Sequence, residues 1–197
     1  MGSFIRGTTM WIRTAALGLA LVGCSSPEIY GTEYSVHIDP AFSPAEDAVI
    51  RTSLAHWSAG IPPLHLTYTS GTCSRTSSPT GTICIHRSDL AGVRDAITNR
   101  PTAGPGIVWD ASTNRSPDDT SDIWIAMDAP DNTTGGKLGS NVQHEAGHAF
   151  GLEHTDGPSV MFWNCDEKGS SPAVTAVDVN QFLYLRKLSS VTPVYFH

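Results

Sequence analysis

An α+β fold is predicted for this 197-residue chain by three observations. Short runs alternate apolar and polar residues with period two, one segment near each end of the domain repeats apolar residues at helical spacing, and a third helical segment carries histidines four residues apart. The expected order is strand, helix, strands, histidine-bearing helix, tight turn and closing helix.

The first strand candidate is 34–38, which alternates cleanly. Ser43-Pro44-Ala45-Glu46 then marks a helix start, with a capping serine, proline at the first helical position and an acid at the third. Val49, Ile50, Leu54 and Trp57 carry that helix to about Ala59, and Gly60 with Pro62-Pro63 ends it. Segments 64–68 and 82–86 alternate as strands, and the polar loop between them suggests a hairpin. The pattern over 88–100 is weak. A further strand is expected at 106–109, followed by a loop rich in Asp, Ser and Asn; 122–127 is the clearest late strand. Residues 128–136 are a loop. Helices are expected over about 138–150 and over 175–188, the latter with Val179, Phe182, Leu183 and Leu185 among its apolar positions. No internal repeat appears.

The chemistry concentrates in residues 144–154, which read H-E-x-x-H-x-x-G-x-x-H. Positions i and i+4 of a helix share a face, so His144 and His148 can offer ring nitrogens to one ion. Glu145 points off that axis, where a general base toward an activated water belongs. Gly151 can take the left-handed conformation that ends a helix, and the turn brings His154 back as a third ligand. Three protein ligands leave one zinc position open, as in catalytic sites. By chance the whole pattern would occur in on the order of one chain in a hundred thousand of this length.

The pattern resembles that of the metzincin metalloendopeptidases. The resemblance implies that His144, His148 and His154 bind one catalytic Zn²⁺, that Glu145 is the catalytic base, and that Met161, in the turn Ser159-Val160-Met161, underlies the metal. It implies a catalytic domain over 34–197, with a twisted mixed β-sheet, an N-terminal helix, an active-site helix, a Met turn and a C-terminal helix. The helix order and Val177-Asp178-Val179-Asn180 are most similar to the matrixin branch. Three departures stand out: no cysteine-switch propeptide, no histidine-bearing loop for a second zinc, and Trp163 where astacin-like branches have a ligating tyrosine. The function so implied is zinc-dependent hydrolysis of peptide bonds in a protein or peptide substrate. The substrate would lie extended against an edge strand, with a pocket walled partly by residues 162–164. The alternative is a surface-displayed binding lipoprotein on a catalytically silent protease scaffold; the intact Glu145 and histidines speak against it.

Residues 1–23 read as a signal peptide, with Arg6 and Arg13 before a short apolar stretch. Leu21-Val22-Gly23-Cys24 resembles a bacterial lipobox, which implies cleavage before Cys24 and lipid attachment there, followed by a tether over 24–33. An exported protein anchored to a bacterial cell membrane by lipid, on its periplasmic or extracellular face, is therefore expected. Without the signal, 10 basic residues stand against 19 acidic ones, a charge of about −9 that disfavours nucleic acid. A monomer is expected.

Three cysteines follow Cys24. A disulfide between Cys73 and Cys84 is the favoured pairing in an oxidising compartment, with Cys73–Cys165 and Cys84–Cys165 open as alternatives. None of the three has metal-site spacing, which argues against a cysteine-ligated zinc. His37, His56, His65 and His86 read as packing or surface histidines, and His197 as terminal. An EF-hand at Asp110 is rejected because Arg115 replaces its glycine and Ser121 its glutamate; a looser calcium site using Asp118, Asp119, Asp122, Asp128 or Asp131 stays open beside a solvated loop. Trp124 and Met127 belong either to a substrate-pairing strand or to the core.

Overall fold

The computed structural model describes residues 30–74, 76–97, 111–115, 119–162 and 173–188. Among the described residues, five strands and four helices follow in the order β1 (Glu33–Ile38), α1 (Pro44–Gly60), β2 (His65–Ser70), β3 (Thr82–Ser88), α2 (Leu90–Ile97), β4 (Ala111–Arg115), β5 (Ser121–Ala126), α3 (Leu138–Ala149) and α4 (Ala176–Leu185). They build one sheet in the order β2-β1-β3-β5-β4. The first four strands in that order run parallel and β4 runs antiparallel to β5, so the sheet is mixed.

The hairpin expected between 64–68 and 82–86 does not form. β1 lies between the two strands and pairs with both in parallel. Parallel strands need a crossover, and residues 71–81 supply it. One further correction concerns β4, and α2 is an addition. β4 falls in the segment expected as a loop, while the candidate at 106–109 lies outside the described residues. The weak pattern over 88–100 contains α2.

Helix α1 starts as its residues dictate. Ser43 Oγ accepts from the Glu46 amide, and the Glu46 side chain accepts from the Ser43 amide in return. Its buried face, Ile50, Leu54 and Trp57, lies in the main core with Val36, Ile83, Ile85, Ile123 and Ile125 from one face of the sheet and Val142 and Ala146 of α3. The Trp57 indole donates to the Gln143 carbonyl at 2.8 Å, which ties α1 to α3. Period two sends the alternate residues Cys84, His86, Asp122 and Trp124 to the other face. There α2 covers Ala126 and Trp124 with Leu90 and Val93.

The two ends of the described domain are joined by a buried polar cluster that sequence pattern does not reveal. Asp119 accepts from the Gly31 amide, the Tyr34 hydroxyl and Arg115, each at 2.7 Å. Arg186, just after α4, reaches the Tyr34 hydroxyl at 2.7 Å and the Phe150 carbonyl at 3.1 Å. The C-terminal helix is thereby fastened both to the first strand and to the end of α3.

No helix among the described residues is long and apolar enough to cross a membrane. The segment expected as a signal peptide, with Cys24, and Cys165 lie outside the described residues.

Candidate metal centre

His144 and His148 project from the last two turns of α3, one turn apart. The helix then stops at Phe150, and Gly151 takes φ +85°. The Gly151 amide donates to the His148 carbonyl at 2.8 Å and the Leu152 amide to the Gly147 carbonyl at 2.9 Å, the paired bonds of a Schellman turn. The turn reverses the chain and returns His154. Its Nε2 stands 3.1 Å from Nε2 of both His144 and His148.

Backbone carbonyls fix the ring tautomers. His144 Nδ1 lies 2.9 Å from the Val160 carbonyl and His148 Nδ1 lies 2.9 Å from the Leu152 carbonyl. A carbonyl only accepts, so both Nδ1 atoms carry the proton and both Nε2 atoms present a lone pair inward. Burial, and then the neighbouring His144, lower the pKa of His154 to about 4, so its ring is neutral near pH 7. A cation between the three Nε2 atoms would take the lone pairs of His144 and His148, together with that of His154 once its proton is on Nδ1. Tetrahedral zinc bonds of 2.0–2.1 Å would set the nitrogens roughly 3.3–3.4 Å apart. The three histidines therefore fit a zinc-class ion in both donor chemistry and spacing.

Glu145 is buried, at 7 % exposure. The Thr113 hydroxyl of β4 lies 2.6 Å from Glu145 Oε2 and 2.9 Å from the Glu145 carbonyl, which orients the carboxylate from the sheet side. Thr113 was not legible as a site residue, because its segment reads as polar loop.

Met161 is fully buried, with its sulfur and methyl against Gly147 of α3. Its turn is held by Asp178 of α4. That carboxylate accepts from the Ser159 hydroxyl, from the amides of Val160 (3.3 Å) and Met161 (3.4 Å), and from the Thr175 amide and hydroxyl (2.8 Å each). The capping pattern Thr175-x-x-Asp178 is visible in the sequence, but the second task of Asp178 at the Met turn is not.

The remaining candidates separate from this centre. Cys73 and Cys84 form a disulfide. The described carboxylates of the loose calcium set have separate partners: Asp119 as above, Asp122 with His86, Asp128 with the Leu90 amide and Asp131 with Lys137. β5 is an interior strand with β3 and β4 on its two sides, so Trp124 and Met127 offer no pairing edge to a substrate. They pack instead against the α2 cluster and the main core respectively. Phe162 is buried beside the turn, while 163 and 164 lie outside the described residues.

No protein-family model and no curated protein matches the sequence. Among solved structures, the chain is similar to archaemetzincin from Methanopyrus kandleri, with a TM-score of 0.48 and 12 % identity, covering 83 % of this chain and 99 % of that one.

Proposed function

We propose that this protein is a zinc-dependent metalloendopeptidase of metzincin type, with His144, His148 and His154 holding the ion and Glu145 as general base. The observation that carries the reading is the convergence of three Nε2 atoms beside a buried carboxylate that already has a fixed orientation. When bound, zinc would acidify water and polarise a peptide carbonyl. Glu145 takes the proton from the attacking water and passes it to the leaving amine. The Thr113 contact holds the carboxylate in place for both transfers. Val160 and Leu152 keep the ligating nitrogens unprotonated, and Met161 supports α3 from below.

β4 is the sheet edge nearest this centre, because Thr113 on β4 touches Glu145. An extended peptide adding to that edge would pass its backbone in front of the base. The resemblance of Val177-Asp178-Val179-Asn180 in α4 favours a matrixin-like branch. Export and lipid attachment at Cys24 complete the reading; radiolabelled palmitate incorporated by wild type and lost in Cys24→Ala tests them.

Glu145→Gln is expected to lower peptide turnover by at least about 10³-fold while zinc content stays near one per chain. Retained turnover removes Glu145 as the base. A wild-type protein that holds zinc yet cleaves no peptide in a library would favour the binding-lipoprotein alternative.

A further inference from the structure

A second set of ligating side chains lies on the sheet face opposite the main core. Cys84 on β3 stands directly across from Asp122 on β5, and His86 follows two residues on, on the same face. One ligand atom from each of the three lies within 4.8 Å of the others. His86 Nε2 is 2.9 Å from Asp122 Oδ1. Cys84 and Asp122 are buried, and the His86 side chain is 24 % exposed. Cys73 is joined to Cys84, with the two Cα atoms 5.7 Å apart. A cavity of about 20 Å³, room for one water or ion, is lined by Cys73, Cys84, His86, His37 and Asp39. At its wall the buried His37 Nδ1 has no hydrogen-bond partner among the described residues. None of these groups serves the three-histidine centre.

We propose that the dithiol form of this chain binds a second transition-metal ion, of the zinc class, through Cys73, Cys84, His86 and Asp122. The disulfide and the ion are then alternative closures of the 73–84 loop. Two sulfurs, one imidazole and one carboxylate form a tetrahedral zinc set, and soft thiolates select zinc-class ions over magnesium or calcium. Two thiolates on one zinc stand roughly 3.8 Å apart, which a Cα spacing of 5.7 Å accommodates. Three of the four ligands come from adjacent interior strands, so the set is held rigidly and shows no spacing motif in the sequence.

The test uses the full chain and Co²⁺. A water-soluble phosphine breaks the sulfur–sulfur bond, takes oxygen from water to become its oxide, and leaves two thiols; both release their protons on binding the ion. The reduced chain is expected to take up about one ion per chain more than the oxidised chain. It should also develop a thiolate-to-cobalt charge-transfer band, which an all-histidine site does not give. His86→Ala and Asp122→Asn should each weaken that uptake by at least about 10-fold. No additional uptake by the reduced chain overturns the proposal, as does a band of unchanged strength in both variants. Near-ultraviolet circular dichroism follows folding: if reduction loosens the chain, the ion must restore the signal, and failure to do so also overturns the proposal.

Discussion

Gly147 lies between His144 and His148, and its missing side chain is filled by the Met turn. A Cβ there would sit 2.1 Å from Met161 Sδ, 3.0 Å from Trp57 Cζ2 and 3.2 Å from Met161 Cε. Met161 and Trp57 are both fully buried, and Trp57 is pinned by its bond to the Gln143 carbonyl. In an exposed helix Gly→Ala would stabilise by about 1 kcal/mol. Here overpacking costs about 3 kcal/mol, the upper end of the usual range, because the fully buried Met161 must be displaced by a Cβ 2.1 Å from its sulfur. The net loss for Gly147→Ala is thus about 2 kcal/mol, or roughly 4–8 °C in Tm for a domain of this size. Displacing Met161 also pulls the adjacent Val160 carbonyl from His144 Nδ1, so zinc affinity should fall by about 10-fold or more. Thermal unfolding by circular dichroism and chelator competition measure the two effects. Gly157→Ala, where a Cβ meets open space, should change Tm negligibly. Adding Gly147→Ala to a Met161→Ala background should cost less than in the wild type, since the 2.1 Å clash is gone and only the 3.0 Å approach to Trp57 remains. A Gly147→Ala protein that unfolds at or above the wild-type temperature, with unchanged zinc affinity, refutes the packing described.

Asp178→Asn should destabilise by about 3 kcal/mol, because an amide nitrogen then faces donors that a buried carboxylate satisfied; urea unfolding measures it. Burial holds the Tyr34 phenol above its ordinary value of 10.0. The unfolded chain therefore releases this proton first, and the stability it contributes is present below about pH 10 and lost as pH rises beyond it. Urea midpoints measured between pH 8 and pH 11 should fall less steeply in Tyr34→Phe than in wild type. Chelation should lower stability by about 4 kcal/mol relative to a sample with free zinc at a thousand times its Kd, read as a drop in Tm. An unchanged Tm would mean that the folded chain holds no ion.

What was legible in the sequence is what local spacing decides. The α1 capping box, the i and i+4 histidines and the helix-ending glycine each depend on residues within one or two turns. The structure places all three in those conformations. Strand pairing is another matter. Whether 64–68 and 82–86 form a hairpin depends on β1, thirty residues earlier, inserting between them. β4, with the sequence Ala-Ser-Thr-Asn-Arg, is an edge strand with too few apolar residues to announce itself. Thr113 was lost with it.

The same division explains how the candidate metal centre is organised. The residue types that would hold an ion are written in one eleven-residue stretch, but their protonation and aim come from elsewhere. His148 depends on the Leu152 carbonyl in the turn that ends α3, and His144 on the Val160 carbonyl in the Met turn. The Met turn in turn depends on Asp178 in α4, and α4 runs into Arg186, which is fastened to Tyr34 and to the end of α3. Each link sets the next, so the aim of the candidate ligands rests on contacts spread over α3, the Met turn, α4 and β1. An ion held by these rings would draw on all of these contacts at once, and this is why metal binding should appear as added stability of the whole domain rather than as a local ordering of the loop.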